Sequence, residues 1–247
     1  MKVLDRITII ILFPIYYIIH HNIFFGFIHK TFVKKFYYKK FIFSVDSLKI
    51  PLANYSSFFF KTYEYNDKKL IEKNITTNNK CIIIGGGIGF IATLTYHLSK
   101  NKILVFEINK NIIKNLKKNL SFNKCKFNLI TKNLTLNKKS NYSNFYLSNN
   151  FLANSLYLKT ENLQKVGNIN KNQIKNFNVF NTLIIDGEGV EEHFIKNLHK
   201  ITNINHLFFE FHHNIFSNRI KKNFFKILKK NNFKFRSKCF NSYYFAR

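Results

Sequence analysis

The feature that most constrains this chain is an apolar run that breaks into glycines. Residues 81–90 read CIIIGGGIGF, with four glycines within five positions. Cys81–Ile84 has the length and composition of a short buried strand. Beyond it, Ile88, Ile91, Ala92, Thr95 and Leu98 fall on one face of a helix. Glycine at this density costs chain entropy, and is kept where backbone takes a positive φ or closely approaches another group. A phosphate-cradling loop needs Lys and then Ser or Thr after its last glycine, but Phe90 and Ile91 stand there. A dinucleotide loop of the G-x-G-x-x-G/A kind needs a small third residue, and Phe90 would block that helix–strand contact. The spacing that fits is G-x-G-x-G at Gly85, Gly87 and Gly89. It suits a smaller ligand lying over the strand end, and its competitor is a tight turn with no ligand.

The rest of the chain repeats the strand–helix alternation. ILVFE (103–107) is a second strand, followed by a helix marked by Ile112, Ile113, Leu116 and Leu120. KFNLIT (126–131), TLIID (182–186) and HLFFEFH (206–212) are further strands, and FKFRSKCFNSYYFAR closes the chain as a hairpin. Such alternation predicts a mostly parallel sheet with right-handed crossovers and one antiparallel strand near an edge. Residues 135–178 read as polar and irregular, 41–60 as short strands, and 67–75 as a short helix. The expected division is a hydrophobic segment over 1–40, strands and a helix covering the site over 41–75, and the main domain over 76–247.

Residues 7–28 contain no Lys, Arg, Asp or Glu, and their length matches the ~20 apolar residues of a bilayer helix. Lys30, Lys34, Lys35, Lys39 and Lys40 follow, so the positive-inside bias places the later domain in the cytoplasm. A membrane anchor, an interfacial helix and a helix packed on the domain are the three readings. Net charge is +28, which favours anionic partners. The lysines are scattered, however, and Lys, Asn, Ile and Phe are all inflated, as A+T-rich coding would produce. Nucleic acid is therefore an unlikely partner on charge alone. Cys81, Cys125 and Cys239 show neither a disulfide framework nor a metal spacing, and no metal is expected.

The acidic residues are few and placed. Glu107 ends the second strand, where an acid can accept from both ribose hydroxyls. Asp186 and Glu188 flank Gly187 after the fourth strand, while Glu191 and Glu192 suit the first turn of a helix. With the strands in the order 3-2-1-4-5, Asp186 stands beside Gly85. Glu210 and His212 are two apart on the fifth strand and so share a face. The expectation is a general-base unit, with Glu210 orienting His212.

In this order, the G-x-G-x-G loop, VFE, IIDGEGVE and FFEFH resemble the FkbM-type methyltransferases over roughly residues 60–247. DGEGVE at 186–191 is the most specific element. Tyr63–Glu64, the stretch from Asn144 to Leu156 and the closing YYFAR support it. The resemblance implies a Rossmann-like class I fold with a seven-strand sheet and an antiparallel last strand. It also implies S-adenosylmethionine as cofactor and methyl transfer to a hydroxyl of a sugar, glycan or other small acceptor. By position, Gly85, Gly87 and Gly89 would line the methionine part of the cofactor, Glu107 would hold its ribose, and Asp186 and Glu188 would border the transfer site. Two positions depart from the pattern: Ile83 stands where an acid is usual, and Ile184 where Lys is common. A nucleic-acid methyltransferase and a non-catalytic membrane-associated member of the fold are the alternatives. The first lacks the Asn/Asp-Pro-Pro-aromatic element, since the only prolines are Pro14 and Pro51.

Overall fold

The computed structural model describes residues 22–45, 50–137, 140–147, 162–187 and 189–247. The chain divides into two compact units, residues 1–65 and 66–247.

In the first unit, α1 (Ile23–Ile28) runs into a π-helical turn, followed by the antiparallel pair β1 (Lys35–Tyr38) and β2 (Phe41–Ser44) and then α2 (Leu52–Phe59). Residues 52–59 were expected to be strand and are helix. Pro51, which has no N–H to leave unpaired, precedes the first turn. The Ser56 and Ser57 hydroxyls donate to the carbonyls of Ala53 and Asn54, so both polar groups are satisfied inside the helix. An aromatic core of Phe36, Phe43, Phe58 and Tyr63 replaces the alternating strand pattern. Gly26 is required here, because a Cβ would lie 1.7 Å from the Leu52 carbonyl oxygen. Among the described residues no helix is long and apolar enough to cross a membrane. Residues 7–21 of the apolar run lie outside the described residues.

The second unit opens with α3 (Tyr65–Asn74) and then alternates: β3 (Cys81–Ile84), α4 (Phe90–Ser99), β4 (Ile103–Phe106), α5 (Lys110–Phe122) and β5 (Phe127–Ile130). A small sheet follows, made of β6 (Asn133–Thr135), β7 (Tyr142–Leu147) and β8 (Asn162–Asn170). The alternation resumes with β9 (Thr182–Ile185), α6 (Glu191–Lys196), β10 (His206–Glu210) and α7 (Asn218–Lys230), and ends in the hairpin β11 (Lys234–Cys239) and β12 (Ser242–Ala246). The seven-strand sheet has the order β11-β12-β10-β9-β3-β4-β5. β12 is antiparallel to both β11 and β10, and the other pairings are parallel. This is the α/β Rossmann-like sheet with a closing antiparallel strand that the resemblance implies, and β9 lies beside β3 as the expected order requires.

The strands are short and apolar because both faces are covered. Ile82, Ile84, Leu183, Ile185, Leu207 and Phe209 join Phe194 and Leu198 around α6, and Phe224 and Leu228 from α7, in one core. The expected irregular stretch 135–178 instead carries β7 and β8, paired antiparallel. Its Asn-rich composition hid the strands: on β8 only Val166 is buried, so no clean alternation reaches the sequence. Residues 148–156 of the aromatic stretch lie outside the described residues.

Candidate functional site

Two groups of residues meet at the carboxyl ends of β3, β4, β9 and β10. The first is the glycine loop. Gly85, Gly87 and Gly89 have φ of +87°, +51° and +88°, values that residues with a Cβ adopt only under strain. Gly85 is also a close approach, since a Cβ would sit 1.8 Å from the Asp186 carbonyl oxygen. The amides of Gly85 and Gly86 both donate to the Phe106 carbonyl, which ties the loop to the end of β4. Glu107 follows directly. Its Oε2 accepts from the Gly87 amide at 2.9 Å and its Oε1 from the Asn109 amide at 2.7 Å. Burial pushes the Glu107 carboxyl up to about 7, and these amide bonds hold it lower than burial alone would.

The second group is built from side chains. Asp186 leaves the end of β9, its amide bonded to the Ile84 carbonyl, and so stands next to Gly85. His212 lies just beyond β10, with Nδ1 2.5 Å from Glu191 Oε1 and Nε2 3.8 Å from Glu210 Oε2. One donor atom each from Asp186, Glu210 and His212 lies within 4.8 Å of the others. Burial raises the Asp186 and Glu191 carboxyls, and the adjacent His212 offsets part of that rise in each. The Glu191 side chain is fully buried, and its Oε2 has no hydrogen-bond partner.

This geometry corrects one expectation. Glu210 does not hold His212 by a short bond; Glu191 does. Glu191 at the start of α6 looked like a helix-dipole acid, and an acid in a first turn carries no sequence mark that distinguishes a buried ion-pair partner. Glu188 lies outside the described residues. Asp186, Glu210 and His212 come together, and Glu107 joins the glycine loop through the Gly87 amide.

A cavity of about 460 Å³ opens beside α6. Asn133, Thr135, Asn137, Ser143 and Asn168 line it with amides and hydroxyls, and His193 of α6 reaches it. No sequence motif marked this cavity, because its polar residues come from four separate segments.

No protein-family model matches the chain, and no curated protein matches it by sequence. Solved structures of similar shape include a ribosomal protein L11 methylase from Lactobacillus delbrueckii subsp. bulgaricus, 12% identical, with 73% of this chain and 74% of that one covered and a TM-score of 0.44. A precorrin-6y C5,15-methyltransferase from Geobacter metallireducens is 10% identical, covering 72% of this chain and 84% of its own, with a TM-score of 0.43. TYW2 from P. horikoshii, solved in complex with MeSAdo, is 11% identical, covering 85% and 68%, with a TM-score of 0.47.

Proposed function

We propose that this chain is an S-adenosylmethionine-dependent O-methyltransferase of the FkbM type, acting on a hydroxyl of a sugar, glycan or similar small acceptor. The observation that carries the reading is the convergence of Asp186, Glu210 and His212 beside Gly85, at the strand ends where open α/β sheets place their ligands. The residues fit the cofactor. Glu107, fixed at the end of β4 by the Gly87 and Asn109 amides, is the carboxylate placed where a ribose diol would lie beside the loop. The left-handed loop from Gly85 to Gly89 keeps side chains away from the strand end where the methionine part would lie. Bound there, the sulfonium supplies an activated methyl group.

The protein's own work is then to align an acceptor oxygen and to remove its proton. Alignment supplies much of the rate in such transfers. Asp186 and the Glu191-held His212 are the groups positioned to take the proton. The cavity beside α6 is lined largely by amides and hydroxyls, the polar character that a polyhydroxylated acceptor calls for. The apolar run over 7–28 and the lysines after it fit attachment of a cytoplasmic domain to the inner face of a membrane.

The test uses the purified chain with methyl-labelled S-adenosylmethionine and a panel of oligosaccharides, with RNA alongside. Label is expected in a glycan hydroxyl, falling about 10²- to 10³-fold for Asp186→Asn. No calorimetric binding of the cofactor, or label entering RNA instead, would sink the reading.

A further inference from the structure

We propose that Asp186, Glu210 and His212 form a binding site for one first-row divalent cation. Two carboxylates and one imidazole offer a donor atom each within 4.8 Å of one another, and Nε2 of His212 is 3.8 Å from Glu210 Oε2. Ligand atoms on a single tetrahedral cation with bonds of 2.0–2.2 Å lie on the order of 3.4 Å apart, so small side-chain movements close the set. Three protein ligands leave positions open for water or a substrate oxygen, the usual form of a catalytic rather than a structural site.

Glu191 is the independent observation. A histidine that binds a metal through one ring nitrogen commonly gives its other N–H to a carboxylate, which fixes the tautomer and the ring's orientation. Nδ1 lies 2.5 Å from an oxygen of the fully buried Glu191. With Glu191 ionised, Nδ1 carries the proton and the lone pair of the neutral ring is on Nε2, the nitrogen 3.8 Å from Glu210. The same carboxylate keeps a second buried oxygen with no hydrogen-bond partner. Its charge bears on Asp186 as well as on His212. Thus three of the chain's 12 acidic residues converge on one imidazole in a protein of net charge +28. Three ionised carboxylates around a neutral ring would carry three negative charges, and a divalent cation would offset two of them. The mixed oxygen and nitrogen set suits Mn²⁺ or Zn²⁺ better than Ca²⁺, which takes oxygen ligands only.

The site stands on its own geometry, whether or not the chain transfers a methyl group. If it does, a cation here would bind the acceptor oxygen beside Gly85 and lower the hydroxyl's pKa. His212 would then be a ligand, and proton removal would not need it as a base.

The experiment titrates the intact chain with Mn²⁺ alone, without cofactor or acceptor, and follows the loss of the free-ion paramagnetic resonance signal. One Mn²⁺ per chain is expected, displaced by Zn²⁺. Asp186→Asn and Glu210→Gln should each weaken binding at least about tenfold, and Glu191→Gln by about 10- to 100-fold. His213→Ala, at an exposed neighbouring position, should leave it unchanged. Glu210→Gln alters only the more exposed member of the Glu210–His212 pair, so it decides the matter if the other variants fail to fold. Absence of stoichiometric binding, or binding equally tight in Glu210→Gln, overturns the proposal. Because neither S-adenosylmethionine nor an acceptor is present, failure here leaves the methyltransferase reading to its own test.

Discussion

The glycine loop and the acidic cluster sit on either side of one peptide contact, yet they are made differently. The loop is backbone: the Gly85 and Gly86 amides tie it to Phe106, the Gly89 amide bonds back to Gly86, and Glu107 clamps the result from the next strand. The cluster is side chain: Asp186, Glu191, Glu210 and His212 arrive from two strand ends and a helix start. A backbone device is specified within ten residues and admits almost no substitution. A side-chain device depends on the register of β9 against β10 and on how α6 returns to the sheet. It tolerates isosteric change but is sensitive to loss of charge balance. The two meet where the Asp186 carbonyl leaves no room for a Cβ at Gly85.

The severest way to break this division is Gly85→Ala. The new Cβ would overlap the Asp186 carbonyl oxygen at 1.8 Å, in a backbone already at φ +87°. Neither strand end can yield without disturbing the central β3–β9 pair. We expect a loss of about 4 kcal/mol or more in urea unfolding, together with loss of both cofactor and Mn²⁺ binding. Retention of either ligand at native affinity would show that the two devices are independent.

His212→Ala comes next. It strips the buried Glu191 of its partner while leaving the loop untouched, and removing one member of a buried pair costs about 3–4 kcal/mol. The double variant with Glu191→Gln should recover part of that loss, because the uncompensated charge is gone. Equal instability in the single and double variants would mean that the ring's packing, not the charge, is what matters.

The contrast also explains what the sequence disclosed. The alternation of Cys81–Ile84, Ile103–Phe106, Thr182–Ile185 and His206–Glu210 with amphipathic helices is local, and it predicts a parallel sheet; Asp186 falls beside Gly85 once the strands take the order 3-2-1-4-5. The G-x-G-x-G spacing is equally local. The Glu191–His212 bond spans 21 residues and links the first turn of a helix to a residue past a strand end. Spacing on one strand favoured Glu210 as the partner because a strand pattern says nothing about a helix packed above it. Residues 52–59 misled for a related reason: aromatic and serine residues suit a strand in isolation, and only the core around Phe58 selects the helix.

A smaller effect probes the loop alone through pH. Glu107 has its carboxyl raised to about 7 by burial. A group raised in the folded state contributes stability that is complete below its unfolded pKa, near 4.5, and is lost as pH rises through the folded value. Stability of the cofactor-free protein should therefore fall between pH 5 and pH 8 by about 3 kcal/mol relative to Glu107→Gln. Urea midpoints of the two proteins across that range measure it. Parallel profiles would mean that the amides of Gly87 and Asn109 hold the native carboxylate ionised throughout.

The last and smallest test concerns the two departures from the resemblance, Ile83 and Ile184. The sequence presents them 101 positions apart, as separate losses. The structure makes them register partners on adjacent parallel strands, both buried, with side chains on the same face. An acid at one position and Lys at the other would form an ion pair across β3 and β9. Two isoleucines fill the same place without desolvating any charge, an exchange that is often neutral or stabilising. The departures then form one compensated change in the sheet rather than damage to the loop that follows. A double-mutant cycle with Ile83→Asp and Ile184→Lys checks this. Each single variant buries a lone charge and should be destabilised. The double variant should be more stable than the sum of the two effects by about 1–2 kcal/mol. A coupling near zero would separate the two positions again, and would return Ile83 to the cofactor site as the residue to explain.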